Sequence, residues 1–329
     1  MRHVIALDVG GTVMRAALVG LDGAVLYEER RATAPGSGPA AVPEAVLGFA
    51  TDLRAHGRRH FGRVAEAAGL VVRGGVPAAP GTAAPAVTAA PAAPAAPAVP
   101  AVPAVPAVDI GRRDGPLRER LSRTLGGTPV ALDHAVRAGG LAEGRLGAGR
   151  GTGRFLFVSL GTGIAGAIGI DGRIETGARG RAGDIGHIVV RPGGPACGCG
   201  GHGCLETLAS TAAIGRAWAV ASADPAADAA ACAEAVATGD EIAAVVWRTA
   251  VDALADGLVT ALTVLDPGTL VIGGGLAEAG ETLFEPLRAA VEERVTFQRP
   301  PLIVPAALGD TAGCLGAALL ARELLECPP

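Results

Sequence analysis

The sequence predicts an α/β protein built of two related lobes that share a cleft. Three observations carry that expectation. The chain has 329 residues, a length that suits two domains at about 100–200 residues each. A pattern of apolar strand, glycine turn and second strand opens the chain at HVIALDVGGT and returns at RFLFVSLGTG, a weak internal symmetry. Apolar residues make up 50% and charged residues 18%, enough for real cores and too hydrophobic for a disordered chain. Aromatic residues supply only 3%, so Ala, Val, Leu and Ile must fill those cores. Lys and Arg total 28 against 32 Asp and Glu, a net charge of -4. No basic block is dense enough to follow a phosphate backbone, so nucleic acid is not an expected partner. Asp8 interrupts the first apolar run before any cleavage-like site. No stretch offers about 18 apolar residues free of helix breakers. The expected home is therefore the cytoplasm, with no membrane partner.

The elements follow in order. HVIALDV reads as a strand, GGT as its turn, and MRAALVGLDGAVL as a meander continuing through a turn at Asp22-Gly23. Val46, Phe49 and Leu53 recur at i, i+3 and i+7 in a helical stretch from about Pro43 to Ala68, and Leu70 to Val72 follows as a short strand. Residues 77–106 are almost wholly Pro, Ala and Val and hold 9 of the chain's 24 prolines. Proline at that density forbids a helix and removes strand donors, so an extended or disordered insert is expected. Order resumes with a helix at Leu117 to Leu125, a strand at Pro129 to Leu132, a small-residue helix from Ala135 to Leu146, and the strand RFLFVSL. Helices are expected at Thr211 to Ala221, Ala226 to Thr238 and Glu241 to Leu265, the last stopped by Asp266-Pro267-Gly268. TLVIGGGL is a buried strand running into three glycines, and a strand near Leu302 to Val304 and a helix from Thr311 to Leu325 end the chain.

Two strand-ending Gly-Thr loops carry the first chemistry. At Asp8-Val9-Gly10-Gly11-Thr12 successive amides can face one anion without a Cβ in the way. Asp8 is near enough to hold Mg²⁺ or its water, and Thr12 offers a hydroxyl. Ser159-Leu160-Gly161-Thr162-Gly163 has the same design, which suggests phosphates gripped from both sides of a cleft. Gly273-Gly274-Gly275 gives a third close backbone approach, suited to adenine or its ribose. Each loop read alone is equally an ordinary turn. No GxxxxGK[ST] occurs, so a P-loop is excluded.

The most specific signal is CGCGGHGCLE at 197–206, with His187 ten residues ahead of its first cysteine. Cys197, Cys199 and Cys204 as thiolates with one imidazole make a closed tetrahedral Zn²⁺ set, which is structural for lack of an open position. His202 lies between Cys199 and Cys204 and would strain the wrap, so His187 is the better fourth ligand. Such a zinc would pin Asp184, His187 and Glu206 together, and the second nitrogen of His187 is free to face a substrate hydroxyl. Two carboxylates beside a rigid loop suggest a polyol site, against the alternative of solvated acids flanking a zinc knuckle. Cys232, Cys314 and Cys327 have no sequence partners and read as core or tail thiols, and His56 and His60 as solvent-facing.

With these residues in view, the chain resembles the ROK family of actin-fold sugar kinases and repressors, in particular its actinobacterial glucokinase-like members. The likeness is carried by Asp8 to Thr12, LDHAVRAGGLAEGRLGAGRG, SLGTGIAGAI, GARGRAGDIGHIVV, CGCGGHGCLE, LDPGTLVIGGGL and LGDTAGCLGAALLA, most of the chain outside 73–115. The resemblance implies an actin-like ATPase (ribonuclease-H-like) fold with two lobes closing over ATP and a hexose. An N-terminal lobe at 1–132 would take the helix at 311–325 packed back on it, and a C-terminal lobe at 133–310 would hold the zinc loop. A homodimer is implied too. Family repressors carry an N-terminal helix-turn-helix, and the first strand here begins at residue 3, so a DNA-binding role is not expected.

Three departures stand out. An Asn-Asp pair ahead of the central helix supplies the family's general base, and here those positions are His134 and Ala135. Asp133 is the remaining carboxylate for proton transfer if its strand extends past it, with His134 as the alternative base and as a sugar contact. The Pro-Ala-Val insert replaces the stretch where the family places a sugar-contacting loop. Asp184 stands where the family has Glu. The reading is an ATP-dependent hexose kinase, glucokinase-like. Its alternative is a catalytically impaired nucleotide- or sugar-binding protein of the same fold, because of Ala135.

Overall fold

A computed structural model describes residues 1–11, 13–33, 41–72 and 117–326. The insert at 77–106, Thr12 and Cys327 therefore lie outside the described residues. The chain forms two compact units, Met1–His134 with the residues from Ala321 onward, and Ala135–Leu320.

Unit 1 is one five-stranded sheet with helices on it. Strands β1 (His3–Val9), β2 (Val13–Gly20) and β3 (Val25–Ala32) form the expected antiparallel meander. Helix α1 (Ala41–Phe61) then leads to β4 (Ala68–Val72), parallel to β1. Helix α2 (Leu117–Thr124) leads to β5 (Val130–His134), parallel to β4, giving the order β3-β2-β1-β4-β5. Val46, Phe49 and Leu53 of α1 are fully buried against Ile5, Leu7 and Leu70, each apolar side chain contributing about 1.5–3 kcal/mol. The helix stops at Phe61, short of the expected Ala68, because Gly62 adopts φ +69°. Gly57 lies inside it and brings α1 close to β1. A Cβ there would fall 2.5 Å from Nε2 of the wholly buried His3.

Unit 2 repeats this plan. Helix α3 (Ala135–Leu146) precedes the meander β6 (Arg154–Leu160), β7 (Ile164–Ile170) and β8 (Arg173–Glu175). The metal-loop region and four helices follow: α4 (Glu206–Ala209), α5 (Thr211–Ala221), α6 (Ala229–Ala237) and α7 (Glu241–Leu265). Strand β9 (Thr269–Gly273) runs parallel to β6. Helix α8 (Glu281–Arg294) connects it to β10 (Leu302–Pro305), parallel to β9, and α9 (Ala312–Glu326) follows. The order β8-β7-β6-β9-β10 is that of unit 1, position for position. The faint symmetry of the two glycine-turn segments is thus a symmetry of whole sheets.

Caps account for several boundaries. The Asp228 carboxylate accepts the Ala231 N–H at 2.9 Å and starts α6 at Ala229, later than the expected Ala226. Asp240 accepts two N–H groups at 2.8 Å ahead of α7, and Asp266 ends that helix in the left-handed region at φ 44° just before Pro267. Glu143 is a wholly buried carboxylate. It accepts the N–H groups of Ala148 (2.8 Å), Ala307 (3.1 Å) and Leu308 (2.8 Å), joining the end of α3 to the loop after β10.

Helix α8 has no counterpart in the sequence reading, because Pro286 sits inside it. A proline there removes the bond to the carbonyl four residues earlier, on Thr282. The indole Nε1–H of buried Trp247 donates to that carbonyl at 2.9 Å instead, so a neighbouring helix repairs the defect. Trp247→Phe keeps most of the ring and orphans the carbonyl. Urea unfolding should show a loss of about 1–3 kcal/mol, and an unchanged midpoint would mean that water satisfies Thr282.

Candidate functional site

In unit 1 the turn from β1 to β2 is drawn tight. The Gly10 N–H donates to the Val13 carbonyl at 3.0 Å, and a Cβ on Gly10 would fall 2.6 Å from that oxygen. The hydroxyl of buried Thr33 donates to the Gly10 carbonyl at 2.8 Å. This fixes the peptide whose following amide, on exposed Gly11, faces outward. Nothing in the sequence pointed to Thr33, which lies 23 residues away at the end of β3.

The carboxylates of unit 1 are ordered by strand register. Asp8 pairs with Val71, and Val71 with Asp133, across three parallel strands. Paired residues of a parallel sheet share a face, so Asp8 and Asp133 lie on one face two strands apart, about 10 Å at the usual strand spacing. His134 pairs with Val72 and Val9 and falls on the opposite face. Strand β5 runs past Asp133, which its expected end at Leu132 did not include, and Asp133 Oδ1 accepts the His134 N–H at 2.6 Å. Ala135 is the buried first residue of α3.

In unit 2 the turn between β6 and β7 lies at the same place in the sheet as that of unit 1 but closes one residue tighter. The Gly161 N–H donates to the Gly163 carbonyl at 3.0 Å, and the Thr211 N–H donates to the Gly161 carbonyl at 2.9 Å, tying the turn to the start of α5. Thr162 and Gly163 are exposed. Gly273 is paired with Ser159, so the triple glycine after β9 emerges beside this turn. Gly274 has φ +87° and would place a Cβ 2.5 Å from the Leu160 carbonyl oxygen. Only glycine allows that approach. Gly275 has open space around it. Two backbone concavities thus sit side by side at one sheet end.

The cysteine loop folds around a common centre. Ligand atoms of His187, Cys197, Cys199 and Cys204 all lie within 4.8 Å of one another. Nδ1 of His187 is 3.6 Å from Cys197 Sγ, and Cys199 Sγ is 3.7 Å from Cys204 Sγ. Tetrahedral ligands about 2.3 Å from an ion stand about 3.8 Å apart, so three sulfurs and one nitrogen at these spacings fit Zn²⁺. Short antiparallel bridges Val189 to Cys204 and Ala196 to His202 close the loop. Gly203, at φ +72°, admits no side chain because a Cβ would run into the Arg191 carbonyl. His202 is exposed and outside the cluster. Burial pushes the Cys197 and Cys204 thiols up, while the Gly201 N–H aimed at Cys199 holds that thiol below its ordinary range. Cys199 is therefore the readiest thiolate of the three.

Glu206, the first residue of α4, joins the cage to the glycine turn. The Cys197 thiol donates to its Oε1 at 3.0 Å, and His187 Nδ1 is 3.5 Å from the same oxygen. A Cβ on Gly163 would meet its Oε2 at 3.0 Å, so the other carboxylate oxygen lies against the turn. His187, using Nδ1 toward the sulfurs, keeps Nε2 for another partner, and its side chain is exposed. Asp184 precedes the short 3₁₀ turn Ile185–His187, with an exposed carboxylate 3.8 Å from the Arg181 guanidinium. No helix among the described residues is long and apolar enough to cross a membrane.

The ROK family model matches residues 4–324. The glucokinase of Thermotoga maritima is 36% identical over 223 residues, covering 63% of this chain and 70% of that protein. The N-acetylmannosamine kinase of Escherichia coli O157:H7 is 30% identical over 324 residues, covering 97% of this chain and 98% of that protein. Among solved structures, a ROK hexokinase from Thermus thermophilus superimposes with TM-score 0.80 at 32% identity, covering 99% of both chains. A ROK family glucokinase from Streptomyces griseus, in complex with glucose and AMPPNP, gives 0.75 at 29% identity over 98% of this chain and 99% of that one. These likenesses carry the actin-like ATPase fold.

One zinc per chain is expected by elemental analysis, with most of it lost on Cys199→Ser. Chelation should lower the melting temperature of the parent and leave that of the Ser variant nearly unmoved. Metal-free protein with the parent's melting temperature would remove the structural role.

Proposed function

Because the chain belongs to the ROK family, we propose that it is an ATP-dependent hexose kinase of the glucokinase type, working in the cytoplasm. The observation that carries this reading is the position of Glu206. Its carboxylate lies between the metal cage and the Gly161–Gly163 turn, so groups suited to sugar hydroxyls and to phosphate oxygens are neighbours within one unit. A phosphotransferase needs that adjacency.

ATP with Mg²⁺ supplies the transferable phosphoryl group. In this reading the amides of Gly11, Thr162 and Gly163, with the hydroxyls of Thr12 and Thr162, receive phosphate oxygens, while Gly10 and Gly161 spend their N–H groups on closing the two turns. Gly273 to Gly275 accept the adenosine, whose flat ring suits a backbone surface without side chains. Asp8 serves Mg²⁺ or its water. A Zn²⁺ held by His187, Cys197, Cys199 and Cys204 keeps the cage closed. Asp184 and Glu206 accept from sugar hydroxyls, and Nε2 of His187 meets a third, whereas His134, on the sheet face opposite Asp133, is left out of the sugar contacts. Asp133 shares a sheet face with Asp8 and takes the proton of the attacking hydroxyl. Phosphoryl transfer relies mainly on positioning and charge stabilisation, so a displaced base remains compatible with turnover.

A second reading, an impaired kinase that binds nucleotide or sugar, is favoured by one observation. Ala135, buried at the start of α3, occupies the position where the family likeness places the general base.

Coupled ADP release over a panel of glucose, mannose and N-acetylmannosamine separates these readings. Turnover with at least one sugar is expected, falling about 10²–10⁴-fold in Asp133→Asn. Turnover indifferent to that change would remove Asp133 as base. An inactive parent that gains strongly on Ala135→Asp would establish the second reading, and a preference for N-acetylmannosamine would reassign the sugar.

A further inference from the structure

The loop between β8 and the 3₁₀ turn at Ile185 leads directly into Asp184 and His187, and its two ends are held differently. At its far end the Gly166 N–H donates to the Gly183 carbonyl at 2.7 Å, sealing the loop onto β7. At its near end the Gly177 N–H donates to Glu175 Oε1 at 2.6 Å. Between these points Ala178, Arg179 and Arg181 are exposed and Gly180 is half-buried. This tip is reached from outside by Arg137, whose Nη1 donates to the Gly180 carbonyl at 2.8 Å across 43 residues. Arg137 is half-buried in the first turn of α3, two residues after Ala135. The bond pins Gly180, and the next residue is Arg181, whose guanidinium stands 3.8 Å from Asp184. At that distance the two form an exposed ion pair without a hydrogen bond. A small shift of the tip would bring it to contact and occupy the carboxylate.

We propose that Arg137 is a positioning residue for sugar binding: by holding the Gly180 carbonyl it keeps the Arg181–Asp184 ion pair short of a hydrogen bond and leaves the lone pairs of that carboxylate open to a hydroxyl. The inference rests on the hexose-binding reading for its consequence, though the tether itself does not. The action assigned to Arg137 is indirect. Arg137 acts on Asp184 through the backbone of the loop, and Arg181 is the latent competitor. Lys at 137 keeps one donor and should hold the carbonyl in part, whereas Ala cannot.

The test has two arms on the zinc-loaded full chain, with zinc content compared between parent and variants. In the first, limited trypsin digestion reads cleavage after Arg179 and Arg181. Arg137→Ala should be cut in this loop at least about threefold faster than the parent, with Arg137→Lys between them. In the second, calorimetry with glucose, without nucleotide, reads affinity. Arg137→Ala should bind about tenfold more weakly, and adding Arg181→Ala should restore most of the loss, because the competitor is then gone. A parent that binds no glucose sinks the hexose reading while the digestion arm still decides the tether. Cleavage rates equal across parent and variants overturn the tether. Weakened glucose binding that Arg181→Ala fails to restore overturns the competition for Asp184. Loss of zinc in Arg137→Ala would make its role general stability, which also overturns the proposal.

Discussion

The candidate site depends on one carboxylate facing two ways. Glu206 stands with one oxygen 3.0 Å from Cys197 Sγ and 3.5 Å from His187 Nδ1, and lies against Gly163 with the other. A charged group so placed has little freedom: the cage fixes one side, and the absence of a Cβ on Gly163 lets the backbone close on the other. The metal ligands, the glycine turn and the start of α4 therefore form one rigid patch. Rigidity here is chemical rather than hydrophobic, which suits a region whose surface must stay open to a polar ligand. It also explains why a loop of four glycines and three cysteines, poor in apolar contacts of its own, holds a defined shape.

The two units are the same sheet used twice and equipped differently. In each, an antiparallel meander is followed by two parallel strands, so a tight turn and the ends of parallel strands recur at matching places. Unit 1 spends a single helix between its third and fourth strands, and unit 2 places the metal loop and α4 to α7 there. The extra segment brings the specific chemistry, while the shared frame brings the glycine turns. A repeated frame with one enlarged connection lets two units with the same sheet order carry different local chemistry.

Buried polar groups decide how the connections of unit 2 are held. Glu143 gathers three amides from two loops at the far end of α3, and Trp247 mends the gap left by Pro286. Each removes the cost of a donor or acceptor shut away from water. At the near end of α3 the chemistry is unusual in another way, because Ala135 leaves no side chain to move a proton. The neighbouring Asp133 is placed by strand register on the face that Asp8 also occupies. That relation is a property of the sheet and needs no conformational adjustment.

Local periodicity and punctuation in the sequence determined most strand and helix positions, the two glycine turns and the members of the Cys/His cluster. The reason is that amphipathic spacing, caps and a dense cysteine loop act over a few residues. Helix α8 escaped because a proline contradicts it locally and a tryptophan 35 residues earlier in the chain repairs it. Thr33 on Gly10, Arg137 on Gly180 and the double contact of Glu206 were equally invisible. Each joins groups remote in the chain, or depends on which face of an element a side chain takes, and only the folded backbone sets those distances. The residue types of the candidate site were thus legible from local pattern, whereas which of them share a face, and what holds each in place, was decided by tertiary structure.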